Sequence, residues 1–415
     1  MSRRRRWQPL KGTGNRIYEP WERLLVGAAD LPGRLTLGAW RLLRGAPPID
    51  LGTVRDVLVL RLDRIGDVFM SLPALADLRA ALPNARIRLA VGQWSADAAK
   101  TAPVDEVLVW NAPWVGRASE GADTLRALYA KAAALRGVDL GLDLQGDVRA
   151  SLLLWATGAR LRAGYANTGG GYLLTHVVPL DETVSWVEQN RRAVALATGR
   201  PVGTARPDVL TADERDFARR LFENLSLEVR RPIVAIHPSG GRLVKQWDLD
   251  RWIQVASRLQ QERGATILVT GSAADRDLAS ALLKAVPHRG YDMTGRLSLR
   301  EMLAVLERLD LFLSPDTGPM HMAASVNAPA VAIFGPSDPV RYFSGTSPRQ
   351  VYVRRELWCS PCNLIRKPPA ECSGPAMPEC LQLVTVDEVY DAAMGVLSQP
   401  GSKAGSPLTV GGSGG

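Results

Sequence analysis

The first candidate for chemistry is a carboxylate, Asp67, which follows a short apolar run. Residues 56–60 (DVLVL) are predicted to form a buried strand, and residues 61–67 (RLDRIGD) lead from it into a helix. Ligands of α/β proteins bind beyond the carboxyl ends of the strands, so a carboxylate at this place could be a general base. It could equally be a helix cap, which contributes about 1 kcal/mol. The local pattern leaves both interpretations open.

A loop later in the chain combines small residues with a lysine. Residues 237–247 (HPSGGRLVKQW) follow a predicted strand and include Ser239 and Lys245. The small residues would expose backbone N–H groups and Lys245 would add a mobile positive charge, which together make an anion site. The alternative is a lysine that is only solvated.

A second loop, residues 313–321 (LSPDTGPMH), joins another predicted strand to a helix. Asp316 or Thr317 could cap that helix, Gly318 lets a ligand approach the backbone, and His321 lies in the first turn. A helix N-terminus with unpaired N–H groups and a nearby histidine is a natural diphosphate site. A capped helix with a structural histidine explains each residue singly, but explains less well why all of them gather at one strand end.

Two further clusters carry polar or metal-binding side chains. Gln145, in the DLQG stretch at 143–146, could contact a polyhydroxyl ligand or hydrogen-bond within its own loop. Four cysteines could hold one structural zinc or iron ion, with reduced structural thiols or a facultative disulfide as the alternatives. They are spaced Cys359-x2-Cys362-x9-Cys372-x7-Cys380.

Composition limits the classes of protein to consider. The 415 residues are 46% hydrophobic and 22% charged, which excludes a disordered, collagen-like or polytopic membrane chain. The net charge is +9, but ten basic and four acidic residues at 1–50 account for +6 of it, so no nucleic-acid partner is expected. Since neither a membrane-spanning run nor a signal peptide is recognisable, we predict a cytoplasmic protein.

The alternation of short apolar runs with helical stretches predicts βαβ units around parallel sheets. Strands are predicted at 56–60, 87–91, 106–110 and 138–144, and again at 233–236, 266–270, 309–313 and 330–334. No G-x-G-x-x-G follows a strand and no G-x-x-x-x-G-K-[ST] occurs, which disfavours a nicotinamide enzyme and a P-loop ATPase. The predicted organisation is a basic amphipathic arm (1–50), a first Rossmann-like domain (51–200), a linker (201–231), a second Rossmann-like domain (232–385) with a cysteine-rich insert (359–380), a helix (386–398) and a disordered tail (399–415).

Three stretches resemble glycosyltransferase family 9, the ADP-heptose:lipopolysaccharide heptosyltransferase family. They are residues 57–82 (VLVLRLDRIGDVFMSLPALADLRAAL), residues 237–247, and residues 314–339 (SPDTGPMHMAASVNAPAVAIFGPSDP). The likeness runs from about residue 55 to 395 and includes the DLQG stretch, and its most specific part is D-T-G-P-M-H. Asp63-Arg64 stands where the lipopolysaccharide enzymes often have two serines, which leaves the acceptor open.

The resemblance implies an α/β fold of the GT-B type, in which two Rossmann-like, doubly wound domains face a central cleft. It also implies inverting sugar transfer without a catalytic cofactor, from a nucleotide-sugar donor, typically ADP-L-glycero-D-manno-heptose, to a glycan or glycolipid acceptor such as the lipopolysaccharide core. By position, Asp67 matches the general base and Lys245 a phosphate-binding lysine. The other implied donor contacts are Ser239, Asp275, Asp316, Thr317, Gly318 and His321, and the expected acceptor contacts are Arg61, Asp63, Arg64 and Gln145.

The implied mechanism is a single in-line displacement. Asp67 takes a proton from the acceptor hydroxyl as that oxygen attacks the anomeric carbon. Lys245 and the helix N-terminus at Gly318 then stabilise the charge that develops on the leaving diphosphate.

Other functions stay in competition with this one. A non-catalytic protein that binds a nucleotide sugar or a lipid head group could use the same fold, and a family member could transfer another sugar or modify a protein. Residues 1–45 interleave Trp and Leu with Arg, which suits contact with the anionic inner face of the cytoplasmic membrane. A helix packed on its own protein and a disordered basic tail are the alternatives for this arm.

Overall fold

The computed structural model describes residues 20–33, 35–36, 47–115, 121–227, 231–364, 368, 370–373 and 377–399. Most of the predicted basic arm, and all but the first residue of the predicted tail at 399–415, therefore lie outside the described residues. The chain divides into two compact units, residues 1–208 and 209–415. Among the described residues, no helix combines the length and the apolar character needed to cross a bilayer.

The first unit contains a six-stranded sheet in the order β3-β2-β1-β4-β5-β6, and every neighbouring pair is parallel. The strands are β1 (Asp56–Leu60), β2 (Arg86–Val91), β3 (Glu106–Val109), β4 (Leu140–Asp143), β5 (Leu161–Gly164) and β6 (His176–Val177). The apolar residues of β1 are fully buried, as expected for a parallel strand whose two faces are covered by helices.

The described residues of the first unit form six α-helices. They are α1 (Pro20–Gly33), α2 (Ile65–Ala81), α3 (Ala96–Ala99), α4 (Leu125–Ala134), α5 (Val148–Ala156) and α6 (Trp186–Thr198). Helix α2 packs against α6, and the pair is joined by the buried ion pair between Arg191 and Asp77 at 2.8 Å. Because α2 directly follows β1, this packing fixes the helix that begins at the loop of the candidate base.

The second unit repeats the architecture, with parallel strands in the order β12-β11-β10-β7-β8-β9. The strands are β7 (Ile233–Ile236), β8 (Thr266–Val269), β9 (Gly290–Asp292), β10 (Leu311–Pro315), β11 (Ala330–Ile333) and β12 (Gln350–Val353). Trp247 and Trp252 pack edge to face in its core, with ring centroids 5.0 Å apart.

The helices of the second unit surround this sheet. They are α7 (Ala212–Asn224), α8 (Leu249–Arg263), α9 (Arg276–Lys284), α10 (Leu299–Glu307), α11 (Gly318–Ser325), α12 (Pro339–Tyr342), α13 (Ala370–Ser373), α14 (Glu379–Gln382) and α15 (Val386–Ser398). Helix α7 falls within the residues predicted as a linker. It is held to α10 by the buried pair of Glu214 and Arg300, 2.6 Å apart.

The predicted fold class is confirmed, since each unit is a doubly wound, Rossmann-like α/β domain. The sequence prediction missed β5, β6, β9 and β12. These four strands are short or partly polar, with the sequences LRAG, HV, GYD and QVYV. They therefore lack the apolar run that reveals a buried central strand. The strand predicted at 309–313 corresponds to β10, which runs from Leu311 to Pro315 in the structure. Its last residue, Pro315, lies opposite Ile333 of β11.

Candidate active site

Two loops meet at the carboxyl edge of the first sheet. Strands β1 and β4 are neighbours, with Leu60 opposite Asp143, so the loop from Arg61 to Asp67 and the loop from Asp143 to Gly146 leave the sheet side by side. The first loop is fixed from a third strand, because Trp94 after β2 donates its indole N–H to the Asp63 carbonyl at 2.6 Å. The residues predicted near the acceptor are thus gathered at one edge.

Asp67 is the third residue of α2 and uses both carboxylate oxygens. Its Oδ2 accepts the Arg64 backbone N–H at 3.2 Å, and its Oδ1 accepts from Nη2 of Arg61 at 3.3 Å. The side chain is 26% exposed. Asp67 is therefore a helix cap that also reaches solvent, so the structural role does not prevent the carboxylate from meeting a ligand.

Arg61 lies underneath this carboxylate and is buried. Its Nε donates to the Asp67 carbonyl at 3.2 Å, its Nη1 donates to the carbonyl of Leu144, and its Nε lies 3.3 Å from Asp63 Oδ1. The guanidinium predicted to bind the acceptor is thus turned toward the protein. Burial raises the pKa of Asp63 to about 7, although Arg61 opposes the shift. Arg64 is exposed at the entrance of the loop.

Asp143 was not among the predicted site residues, yet it organises the second loop. Its fully buried carboxylate accepts the backbone N–H groups of Gln145 at 2.9 Å and Gly146 at 3.0 Å, and Ser151 donates to it at 3.3 Å. Burial raises the pKa of Asp143 to about 7 in spite of the two backbone hydrogen bonds. Gln145 Oε1 is buried without a hydrogen-bond partner in the described part of the chain, which makes its amide a candidate ligand contact.

The carboxyl edge of the second sheet gathers the predicted donor contacts. Strands β10, β7 and β8 are neighbours, with Leu313 opposite Ile236 and Ile236 opposite Val269. The loops that carry Lys245, Asp316 and Asp275 therefore follow three adjacent strand ends. This is the place where doubly wound sheets bind their ligands.

Lys245 and Asp316 form a pair at this edge. The Lys245 ammonium donates to Asp316 Oδ2 at 2.5 Å and to the Asp316 carbonyl at 3.1 Å. The side chain of Asp316 is 3% exposed and that of Lys245 is 17% exposed. Burial opposes ionisation of Asp316, but the Lys245 ammonium outweighs it and holds the pKa of Asp316 below its ordinary value. An ammonium group has three donors, so Asp316 uses two of the three N–H groups of Lys245.

Helix α11 begins beside this pair. Thr317 is its N-cap residue, but the threonine side chain does not cap the helix and instead contacts the Pro315 carbonyl at 3.4 Å. A Cβ placed on Gly318 would meet no heavy atom within 4 Å, so the space beside the first turn is open. His321 is oriented through Nδ1, which lies 2.6 Å from Ser344 Oγ. Ser344 was not predicted, because it lies far from the motif in sequence.

The loop after β7 is held from the adjacent strand. His237 lies between the Ser239 hydroxyl at 3.3 Å and the Thr270 hydroxyl at 3.4 Å, and burial lowers the pKa of His237 to about 4. The imidazole is therefore neutral at physiological pH. Asp275 closes a turn after β8 by accepting the Ser272 backbone N–H at 2.7 Å, so its carboxylate has a structural role in addition to the predicted ribose contact.

A sequence model of one family matches more than half of the chain. The family is glycosyltransferase family 9 (heptosyltransferase), and the match covers residues 128–371. The protein belongs to glycosyltransferase family 9. As a family member it is a glycosyltransferase, and the matched residues include all of the predicted donor contacts. The loop of Asp67 lies before the matched range.

Individual relatives of this family 9 protein are distant. It is 25% identical to lipopolysaccharide heptosyltransferase 3 of Escherichia coli over 66% of its own chain and 81% of the relative. It is also 25% identical to lipopolysaccharide heptosyltransferase 1 of Pseudomonas aeruginosa, over 74% of its own chain and 85% of the relative.

Solved structures share the fold of this family 9 protein. A family 9 glycosyltransferase from Veillonella parvula superimposes with a TM-score of 0.68 at 20% identity, covering 85% of this chain and 99% of the other. ADP-heptose lipopolysaccharide heptosyltransferase II of E. coli gives a TM-score of 0.64 at 21% identity, covering 82% and 98%. The E. coli heptosyltransferase WaaC, solved with ADP, gives 0.61 at 19% identity over 82% and 99%.

The cysteine insert of this family 9 protein does not support the predicted metal site. The described residues contain no group of three or more His, Cys, Asp or Glu side chains arranged to hold a metal ion. Cys380 is buried while Cys359, Cys362 and Cys372 are half-buried. Burial, followed by the other three cysteines, raises the pKa of Cys380 to about 12. The predicted zinc or iron is therefore unsupported.

Proposed function

We propose that this glycosyltransferase transfers a heptose, with inversion, from an ADP-activated donor to a hydroxyl of the lipopolysaccharide core or another surface glycan. The observation that carries the proposal is the donor edge of the second sheet. There the Lys245 ammonium and the open N-terminus of α11 follow neighbouring strands. Both features attract a diphosphate.

The donor diphosphate would lie at this edge. Lys245 is held by Asp316, and its remaining N–H binds a phosphate oxygen in the proposed complex. The N–H groups at the start of α11 and the ring of His321 bind the others. Asp316 thereby both orients Lys245 and contacts the sugar, while Ser239 and Asp275 lie where the loops after β7 and β8 would hold the nucleoside. Positive charge that is already in place stabilises the leaving diphosphate as it forms.

Asp67 is proposed as the general base for the acceptor hydroxyl. Its partly exposed carboxylate and its two hydrogen bonds support this role, because they fix the direction of the carboxylate without enclosing it. Arg61 is proposed as a positioning residue that holds Asp67, since its guanidinium donates to both the carbonyl and the carboxylate of that residue. Asp63, Arg64 and Gln145 remain the proposed acceptor contacts.

We also propose that the protein works at the inner face of the cytoplasmic membrane, where the basic residues of 1–45 would attract anionic lipid. Helix α1, within this arm, is attached to the first unit through Asp30, which accepts the Gly170 backbone N–H at 2.8 Å. Leu24 and Leu31 lie on its exposed surface, with 75% and 62% of their area accessible. The attachment keeps part of the arm beside the domain that would receive a lipid-linked acceptor.

A transfer assay tests the proposed function. The protein is incubated with ADP-L-glycero-D-manno-heptose and a panel of acceptors, and the products are identified by mass. A product heavier than the acceptor by one heptose residue, formed together with ADP, is expected. Tight binding of the donor without transfer to any acceptor and without hydrolysis would instead identify a non-catalytic binding protein.

A further inference from the structure

Helices α4 and α5 of the first unit present large apolar side chains to solvent. Leu125 and Tyr129 of α4 are 58% and 42% exposed, and Leu152 and Trp155 of α5 are 42% and 44% exposed. The two helices pack against each other, so these four residues belong to one surface, which we call the α4–α5 face. Tyr129 and Trp155 line the same shallow pocket of about 390 Å³.

The fold does not need this exposed apolar surface. The opposite sides of the two helices fill the core through Leu128 and Ala132 of α4 and through Leu153 and Leu154 of α5. The residues of the α4–α5 face add nothing to that core. Large apolar side chains that are clustered on a surface mark a candidate site of interaction.

The charges around the α4–α5 face indicate the kind of partner. Residues 124–137 and 147–160, which contain the two helices, hold five basic residues and one acidic residue. Lys131 and Arg149 are ion-paired with Asp123 and Asp147. Arg126 and Arg136 are exposed and have no ion-pair partner in the described ranges, and Arg136 lines the pocket beside Tyr129 and Trp155. Aromatic rings that alternate with arginines fit the boundary between the acyl chains and the phosphates of an anionic bilayer.

The first part of α5 lies beside both the arm and the acceptor edge. Gly170, which binds Asp30 of α1, also lies against Val148 at the start of α5. On the next turn, Ser151 donates to Asp143 at the end of β4, and its neighbour Leu152 faces outward. Leu152 therefore lies close to the sheet edge that holds the proposed base, whereas Tyr129 and Trp155 lie toward the C-terminal ends of α4 and α5.

We propose that the α4–α5 face is a membrane-binding surface that docks the first unit on an anionic bilayer. Tyr129, Leu152 and Trp155 enter the interface, while Arg126 and Arg136 contact lipid phosphates. The purpose of this docking, which is to bring a lipid-linked acceptor to Asp67, rests on the proposed function. Binding itself requires no catalysis.

Vesicle binding by full-length protein tests the proposal. Partition is measured by co-sedimentation with vesicles of equimolar phosphatidylcholine and phosphatidylglycerol, and with phosphatidylcholine alone. The double variant Leu152→Ser with Trp155→Ser should bind the anionic vesicles at least about tenfold more weakly than wild type. The matched control is Leu383→Ser with Trp358→Ser, which removes an exposed leucine and tryptophan from the second unit and should bind like wild type.

A charge variant keeps the test decisive if the apolar variant folds poorly. Arg126→Gln with Arg136→Gln alters only exposed side chains and should weaken binding to the anionic vesicles while leaving binding to phosphatidylcholine unchanged. Activity on a short soluble acceptor should be normal in every variant, so loss of docking is distinguished from loss of transfer. Wild-type vesicle binding by both α4–α5 variants would overturn the proposal, and a change in oligomeric state instead would identify the face as a self-association surface.

Discussion

Replacing Lys245 by alanine tests the donor edge, because this residue holds a buried carboxylate and is proposed to bind the diphosphate. The substitution removes both hydrogen bonds to Asp316, whose side chain is 3% exposed. Breaking a buried ion pair from one side costs about 3–5 kcal/mol. Since the Lys245 side chain is 17% exposed, the lower end, about 3 kcal/mol, is expected for the free energy of unfolding of the second unit.

The pH dependence of this loss follows from Asp316. In wild type the pKa of Asp316 is lowered in the folded state. Its ionised form therefore stabilises the fold at pH values above the ordinary pKa of an aspartate. This stabilisation is lost as the pH falls through the folded-state pKa. Without Lys245, burial raises that pKa instead. The difference in stability between wild type and Lys245→Ala should therefore be largest near neutral pH and shrink toward about pH 4. Urea unfolding at several pH values measures it.

Affinity for ADP separates the two roles of Lys245. A hydrogen bond to a charged group contributes about 1.5–3 kcal/mol, so calorimetry of Lys245→Ala should show ADP binding weakened about tenfold to 150-fold. Adding Asp316→Asn removes the uncompensated carboxylate and should restore most of the stability. It should leave ADP binding weak. If the double variant binds ADP as wild type does, Lys245 acts only through Asp316 and the proposed phosphate contact is refuted.

Further substitutions test the acceptor edge and the arm. Asp67→Asn keeps an oxygen for the Arg64 N–H but turns its amide NH2 group toward Nη2 of Arg61. Turnover should fall at least about 100-fold with a modest fall in Tm and little change in ADP affinity, and near-normal turnover would reduce Asp67 to a cap. Arg61→Lys should lower kcat and move its pH profile without altering ADP affinity, and an unchanged profile would contradict a positioning role. Asp143→Asn can keep all three hydrogen bonds, and since the folded pKa of Asp143 is about 7, wild-type stability should fall as the pH rises from about 4 to 7. The variant should show a smaller fall, because Asp63, whose pKa is also raised to about 7 by burial, still contributes. It should have the higher Tm at about pH 8, whereas equal Tm values there would show that Asp143 ionises without cost. Deleting residues 1–45 should weaken sedimentation with anionic vesicles and preserve activity on a soluble acceptor; unchanged partition would make the arm a protein-binding element.

The sequence alone was sufficient for the two-sheet architecture and for the positions of the candidate donor loops after β7 and β10. Buried parallel strands such as β1, β7 and β10 are nearly continuous apolar runs in the sequence, and polar loops separate them. Ligands bind beyond the carboxyl ends of such strands. The small residues and the lysine of 237–247, and the D-T-G-P-M-H motif, lie next to such runs. Local pattern therefore located these loops at the strand ends, and their role in donor binding stays a prediction.

Only the tertiary structure could decide which side chains meet. The sequence around Asp143 predicts a polar loop. The structure shows that Asp143 is buried, because β4 pairs with β1 in the centre of the sheet. Arg61 is basic and follows a strand, which suggested an acceptor contact, yet it is enclosed by Asp63, Asp67 and Leu144. The cysteines have metal-like spacing, but spacing does not set the distances between thiols. Long-range packing decides the order of the strands, the burial of each side chain and the pairing of residues that are distant in sequence. The hydrophobic periodicity of a segment depends only on neighbouring residues, so it does not predict this packing.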